Sequence, residues 1–158
     1  MVRASDDPFT IRMRIGCFGP GTILDEIILT EVDRFVKDAD VVALVRLDSV
    51  EDQYQPRVGD GYCGSVIAFR ATILDAVKDR RSRGQGPISF VLFGHERSYE
   101  PGEDYVAILR WQPGTRTYRV MSRAYFMLVK DGRVRWPGGD KSESLPDVLT
   151  RLRSISQK

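Results

Sequence analysis

The chain has one histidine, His95, in Gly94-His95-Glu96. A histidine can move a proton near neutral pH or ligate a metal. Nucleophilic catalysis would need a nucleophile in reach of it, and metal binding a second ligand. The sequence identifies neither, so His95 is read as a histidine in the loop after a strand. The acidic pairs Asp6-Asp7 and Glu51-Asp52 are direct neighbours, a spacing that does not aim two carboxylates at one substrate atom. Cys17 and Cys63 lie 46 positions apart. They form no C-x-x-C pair and adjoin no histidine cluster, which removes the usual zinc patterns. In a reducing compartment they are two small buried side chains. In an oxidising one they could pair, and closing a loop of that length is worth roughly 4 kcal/mol.

Two glycine-rich stretches invite comparison with phosphate cradles. Gly16-Cys17-Phe18-Gly19-Pro20-Gly21 lacks the lysine that follows a P-loop, and Pro20 removes an amide such a loop needs. Gly59-Asp60-Gly61-Tyr62-Cys63-Gly64 has neither the preceding strand nor the following helix of a dinucleotide site. Both read as turns. No cofactor, metal or catalytic residue is therefore assigned, and the chain is not read as an enzyme.

Binding chemistry has better candidates. Lys78-Asp79-Arg80-Arg81-Ser82-Arg83 is the densest basic run, and Arg80, Arg81 and Arg83 could contact phosphate or an acidic partner. The plainer alternative is a solvated connection between strands. Tyr105, Trp111, Tyr118, Tyr125, Phe126 and Trp136 all fall in predicted strands. Exposed on a barrel they could stack nucleobases; the expectation is that they pack the core and the strand faces.

Composition bounds these readings. The 158 residues fit one domain, and hydrophobic and charged fractions of 42% and 29% exclude a disordered chain. The formal charge of +2, from 24 basic and 22 acidic side chains, argues against a dedicated nucleic-acid binder, though a local basic patch survives such a balance. No stretch is apolar enough to span a bilayer. The opening carries Arg3, Asp6, Asp7, Arg12 and Arg14, so it lacks the apolar centre of a secretory signal. As written the chain would stay in the cytoplasm, whereas a leader already removed would mean export, so the compartment stays open.

The elements that must position these residues follow from periodicity. Residues 1–29 are irregular, and 30–158 form a single domain. Thr30 with Asp33 resembles a capping box, and Val32, Phe35, Val36 and Ala39 share one helical face. From Val41 to Val50, Val41, Ala43, Val45 and Leu47 alternate with Val42, Leu44, Arg46 and Asp48, a half-buried strand. The segment from Val66 to Lys78 admits helix or strand. Its β-branched residues favour the strand, with Ile67, Phe69, Ala71, Ile73 and Val77 on one face and only Asp75 intruding. Ile88 to Phe93 and Asp104 to Trp111 read as strands, and Pro113-Gly114 turns the chain into Thr117 to Met121. Tyr125 to Val129, Asp131-Gly132 and Val134 to Trp136 read as a hairpin with a type I′ turn. Ser144 and Asp147 open a closing helix whose stripe is Leu145, Val148, Leu149, Leu152 and Ile155.

The order of these elements carries a resemblance. Phe35-Val36-Lys37-Asp38-Ala39-Asp40-Val41-Val42-Ala43-Leu44-Val45 is similar to the start of the netrin-like (NTR) domain, the module of the tissue inhibitors of metalloproteinases. A strand such as Phe69 to Val77, a basic turn, and a strand like Ile88 to Phe93 come next. Pro101-Gly102-Glu103-Asp104-Tyr105 then leads into Val106 to Trp111. The resemblance covers roughly residues 30–121 and the last helix. It implies a mainly β fold: a five-stranded OB-like barrel with a short N-terminal helix, an extra β-hairpin and a C-terminal helix. It also implies an N-terminal segment laid across the barrel and tied to it by a Cys17–Cys63 bridge. In that family a free N-terminal cysteine chelates the protease zinc. Cys17 stands alone inside Gly16-Cys17-Phe18, so no inhibition of zinc endopeptidases is expected. The function expected is a non-enzymatic protein-binding module. A nucleic-acid-binding OB protein is one alternative, requiring the three arginines to border exposed aromatics; a small enzyme with a site near His95 is another.

Overall fold

The computed structural model describes residues 32–52, 57–58, 61–62, 66–80, 87–93, 98–137, 139 and 141–158. Cys17, Cys63, His95, Arg81, Arg83, Thr30, Asp6-Asp7 and the N-terminal segment 1–29 lie outside these. Among the described residues, two helices, α1 (Val32–Asp38) and α2 (Leu145–Ser156), bracket ten strands. These are β1 (Val41–Asp52), β2 (Arg57–Val58), β3 (Gly61–Tyr62), β4 (Val66–Asp79) and β5 (Pro87–Phe93), followed by β6 (Asp104–Gln112), β7 (Thr117–Val120), β8 (Met127–Lys130), β9 (Arg133–Arg135) and β10 (Ser142–Ser144).

Five of them close a barrel in the order β1-β4-β5-β7-β6, with β6 pairing back onto β1. All pairings in the ring are antiparallel except β5–β7, which is parallel. This is the OB-like barrel the sequence implied, flanked by a short helix and a closing one. β2 and β3 pair separately. β8, β9 and β10 continue the sheet from β6, outside the ring.

The segment with rival readings is a strand of 14 residues. Ile67, Phe69, Ala71 and Ile73 are buried inside the barrel, as period two requires. Beyond Ile73 the expected face is wrong. Val45 pairs with Ile73 but Leu44 with Asp75, so Leu74 is an extra residue, and a second shift makes Val77 extra. Each bulge reverses the alternation of the residues beyond it. Ala76 therefore packs inside the barrel, while Val77 joins the layer outside it. Asp75, read as an intruder in the core face, points outward to Arg153. Strands this long must bend to close a small ring, and these bulges supply the bends.

Two apolar layers share β6. Its Tyr105, Ala107 and Leu109 face the barrel interior, and Val106 and Ile108 face the helices. The interior holds an aromatic cluster of Phe69, Phe90, Tyr99, Tyr105 and Phe126, with Tyr105 stacked on Phe126 at 4.2 Å between ring centroids. The outer layer packs Val36, Val148, Leu149, Leu152 and Ile155 from the two helices, with Ala39 just past α1, on Val42, Val106, Ile108 and Val134. Val42 thus lies buried on the face of β1 that the alternation left half solvated, because α1 folds back over it.

Three aromatics leave their predicted strands. Arg123–Tyr125 forms a 3-10 turn capped by the Ser122 hydroxyl, Phe126 follows it, and Trp136 falls after β9. The hairpin is shorter than expected, but its turn is the expected one, with Asp131 and Gly132 both at positive φ, 54° and 72°. β10 was not anticipated. Three residues that end on the helix cap Ser144 carry no strand signal of their own, and β9 recruits them.

Candidate functional site

The proposed contact run begins with structural work. Lys78 Nζ donates to the carbonyls of Val36 and Lys37 at 2.8 Å, and Arg80 Nη2 donates to Lys37 at 2.8 Å. Both cations sit on the last turn of α1, where the carbonyls lack intrahelical donors and the dipole is negative. Burial pushes the Lys78 pKa below the ordinary lysine value, and nearby Arg80 lowers it further against the pull of Asp40 and Asp38. Arg80 remains on the surface with its backbone amide tied to the Asp40 carbonyl.

A different basic surface forms where the sheet divides. β7 and β8 both pair with β6, the first along Leu109–Gln112 and the second along Asp104–Val106. The chain between them makes the 3-10 turn and Phe126. On one side of that division the strands go round the barrel; on the other, β8, β9 and β10 lead away as a flap. Between them lies a groove of about 990 Å³, lined among others by Tyr99, Arg123, Phe126, Leu128, Lys130, Arg133, Arg135, Trp136 and Ser142.

Alternation decides which side chains line it. Val134 of β9 is buried beneath α2, and Val129 packs against the same layer. Leu128 and Lys130 of β8, with Arg133 and Arg135 of β9, therefore take the opposite face. Lys130 stands across from Arg133, and Arg135 across from Ser142 of β10. Arg133 is pinned over the flap by hydrogen bonds from Nε and Nη2 to the Ser142 hydroxyl and carbonyl, both at 2.7 Å. Leu128 leans onto the barrel cluster that contains Tyr105 and Phe126. Trp136 forms the far wall, its ring covered by the Arg151 guanidinium at 4.8 Å, and Arg151 also meets Glu143 at 3.3 Å.

The groove thus has an apolar floor and four cations at its margins, opposed within its lining by Asp131. The interior of the barrel end is held by one loop. In Pro101-Gly102-Glu103 the glycine adopts φ +92°. Glu103 Oε1 accepts from the Tyr105 hydroxyl at 3.0 Å and from the Glu100 amide at 2.9 Å. That bond sets Tyr105, and through the stack Phe126, beneath the groove.

The aromatics named from sequence pack as expected: Tyr105, Tyr118, Tyr125 and Phe126 are buried, and Trp111 packs edge-on against Tyr118 at 5.0 Å. Sequence reading missed Arg123, Lys130, Arg133 and Arg135. A signal existed for three of them, since a two-residue turn at Asp131-Gly132 fixes the hairpin register and places positions 130, 133 and 135 on one face. Among the described residues no three His, Cys, Asp or Glu side chains gather as a metal site, and no helix is long and apolar enough to cross a membrane. The chain matches no protein-family model and no curated protein.

Proposed function

We propose that this protein is a non-enzymatic binding module that takes an acidic segment of a protein partner into the groove between the barrel end and the β8–β9–β10 flap. One observation carries the reading: Arg123, Lys130, Arg133 and Arg135 converge on a single groove floored by Tyr99, Phe126 and Leu128, in a chain whose total charge is only +2. Concentrating cations in one concave place attracts an anionic partner, and the apolar floor rewards side chains laid on it. The netrin-like relationship belongs to the same reading and rests on the order of the elements, with the barrel as its architectural support. A single-stranded nucleic acid fits less well, because the rings that would stack bases mostly pack inside the protein.

The experiment is a fluorescence-anisotropy titration with a labelled glutamate-rich peptide carrying leucines, beside a peptide in which every glutamate is replaced by glutamine. Saturable binding of the acidic peptide that weakens with salt is the expected result. Equal binding of the neutral peptide, or no saturation by either, would overturn the proposal.

A further inference from the structure

We infer, resting on that reading, that the groove recognises an extended segment in which an apolar side chain and a carboxylate are two residues apart. The inference comes from the spacing of the lining. Leu128 and Lys130 are alternate residues of β8, so they project from the same face about 6.6 Å apart. The antiparallel partner has the same two-residue spacing but is cationic throughout: Arg133 lies opposite Lys130, and Arg135 two residues further on, beside the Leu128 end. Leu128 adjoins Phe126 and Tyr99 on the floor, so the β8 row runs from an apolar position to a cationic one, while the β9 row beside it is cationic at both. An extended ligand repeats at the same interval on each face. When it sets an apolar residue over Leu128 and Phe126, the side chain two positions away lies over Lys130 and Arg133, where a carboxylate finds two cations. With the two groups adjacent in its sequence, one of them faces solvent.

Ordering by β10 supports the geometry. The two bonds from Arg133 to Ser142 hold that guanidinium across the flap, so part of the cationic end is fixed before anything binds, which lowers the ordering cost of association.

The test uses two capped, fluorescein-labelled peptides of identical composition, one with leucine and glutamate two positions apart and one with them adjacent, titrated against the full chain and its Lys130→Gln variant. The expected result is roughly fivefold tighter binding of the spaced peptide, the size of one exposed ion pair, and loss of that preference in K130Q. Equal, salt-sensitive binding of both peptides would overturn the spacing inference and leave the acidic-partner reading standing. No saturable binding of either at millimolar concentration would overturn both. A single-stranded oligonucleotide of equal charge that binds more tightly than either peptide would give the groove to nucleic acid and also overturn both.

Discussion

Arg153, in the last turn of α2, reaches both oxygens of the Asp75 carboxylate through Nη2, at 2.8 and 3.0 Å. This contact exists because the bulge at Leu74 turns Asp75 out of the barrel and towards the helix. It ties the end of the chain to the second strand of the ring.

The contact orients the helix more than it holds it. Both side chains are about two-fifths exposed, 40% and 44%, so screening limits the pair to about 1 kcal/mol or less. Leu152, two turns into the helix, is fully buried in the outer layer. Leu152→Ala should cost about 2–5 kcal/mol, and Arg153→Ala no more than about 1 kcal/mol, with the latter shrinking further in molar salt. Urea midpoints of the two variants check the ranking; equal losses would mean the helix is held by charge.

Two glycines in turns should respond oppositely to alanine. Neither Gly132 nor Gly114 has an atom within 4 Å of where a Cβ would sit, but Gly132 has φ +72° and Gly114 lies outside the left-handed region. Gly132→Ala therefore carries only a backbone penalty, about 1–2 kcal/mol. Gly114→Ala restricts the unfolded chain and should be neutral or stabilising by about 0.4–1 kcal/mol. Thermal unfolding of both variants measures the contrast. The Gly132 carbonyl also accepts from the Leu145 amide at 2.9 Å, so a disturbed turn should loosen the start of α2.

Period-two patterning was enough to read β1, β6 and the core-facing half of β4, because one face of each packs into the single barrel interior, and β5 was legible as a short, almost wholly apolar run. It failed past Ile73, where a bulge adds a residue that hydrophobicity does not mark. The type I′ turn was legible because Asp-Gly tolerates two positive φ values. β10 was not, since its pairing is long-range and its residues are Ser142, Glu143 and Ser144. The site followed the same division. Counting basic residues along the chain led to Lys78–Arg83, whose first members cap α1. The groove assembles its cations from a 3-10 turn and both strands of a hairpin, and only the register of that hairpin was readable in advance.

Stability at alkaline pH should carry the mark of Tyr125. Burial, with Asp33 nearby, raises its phenol pKa above the ordinary value of 10.0. Below pH 10 the phenol is protonated in both folded and unfolded chains, so it adds no pH dependence. Above pH 10 the unfolded phenol ionises first, the folded one resists, and unfolding becomes easier as pH rises. Tyr125→Phe should flatten that decline. Urea midpoints at intervals from pH 8 to 11 test it; parallel curves for the two proteins would assign the decline to other groups.

Charge reversal in the groove should separate binding from folding. Lys130 and Arg135 are exposed, and no ion pair joins either of them to another described residue. Reversing them therefore breaks no ion pair with a described residue, and the Lys130→Glu, Arg135→Glu double variant should unfold at the same temperature as the parent within a degree or two. Binding of the acidic peptide loses two attractions of roughly 1 kcal/mol each, about a thirtyfold drop in affinity, and the repulsion added by two new carboxylates can only enlarge it. Arg80→Gln is the opposing control. It removes one donor from the last carbonyls of α1, so it should lower stability by about 0.5–1.5 kcal/mol while leaving peptide affinity unchanged. If the peptide binds the groove variant normally and loses affinity for Arg80→Gln, the partner docks at the β4–β5 connection, and the cations around the flap serve another purpose.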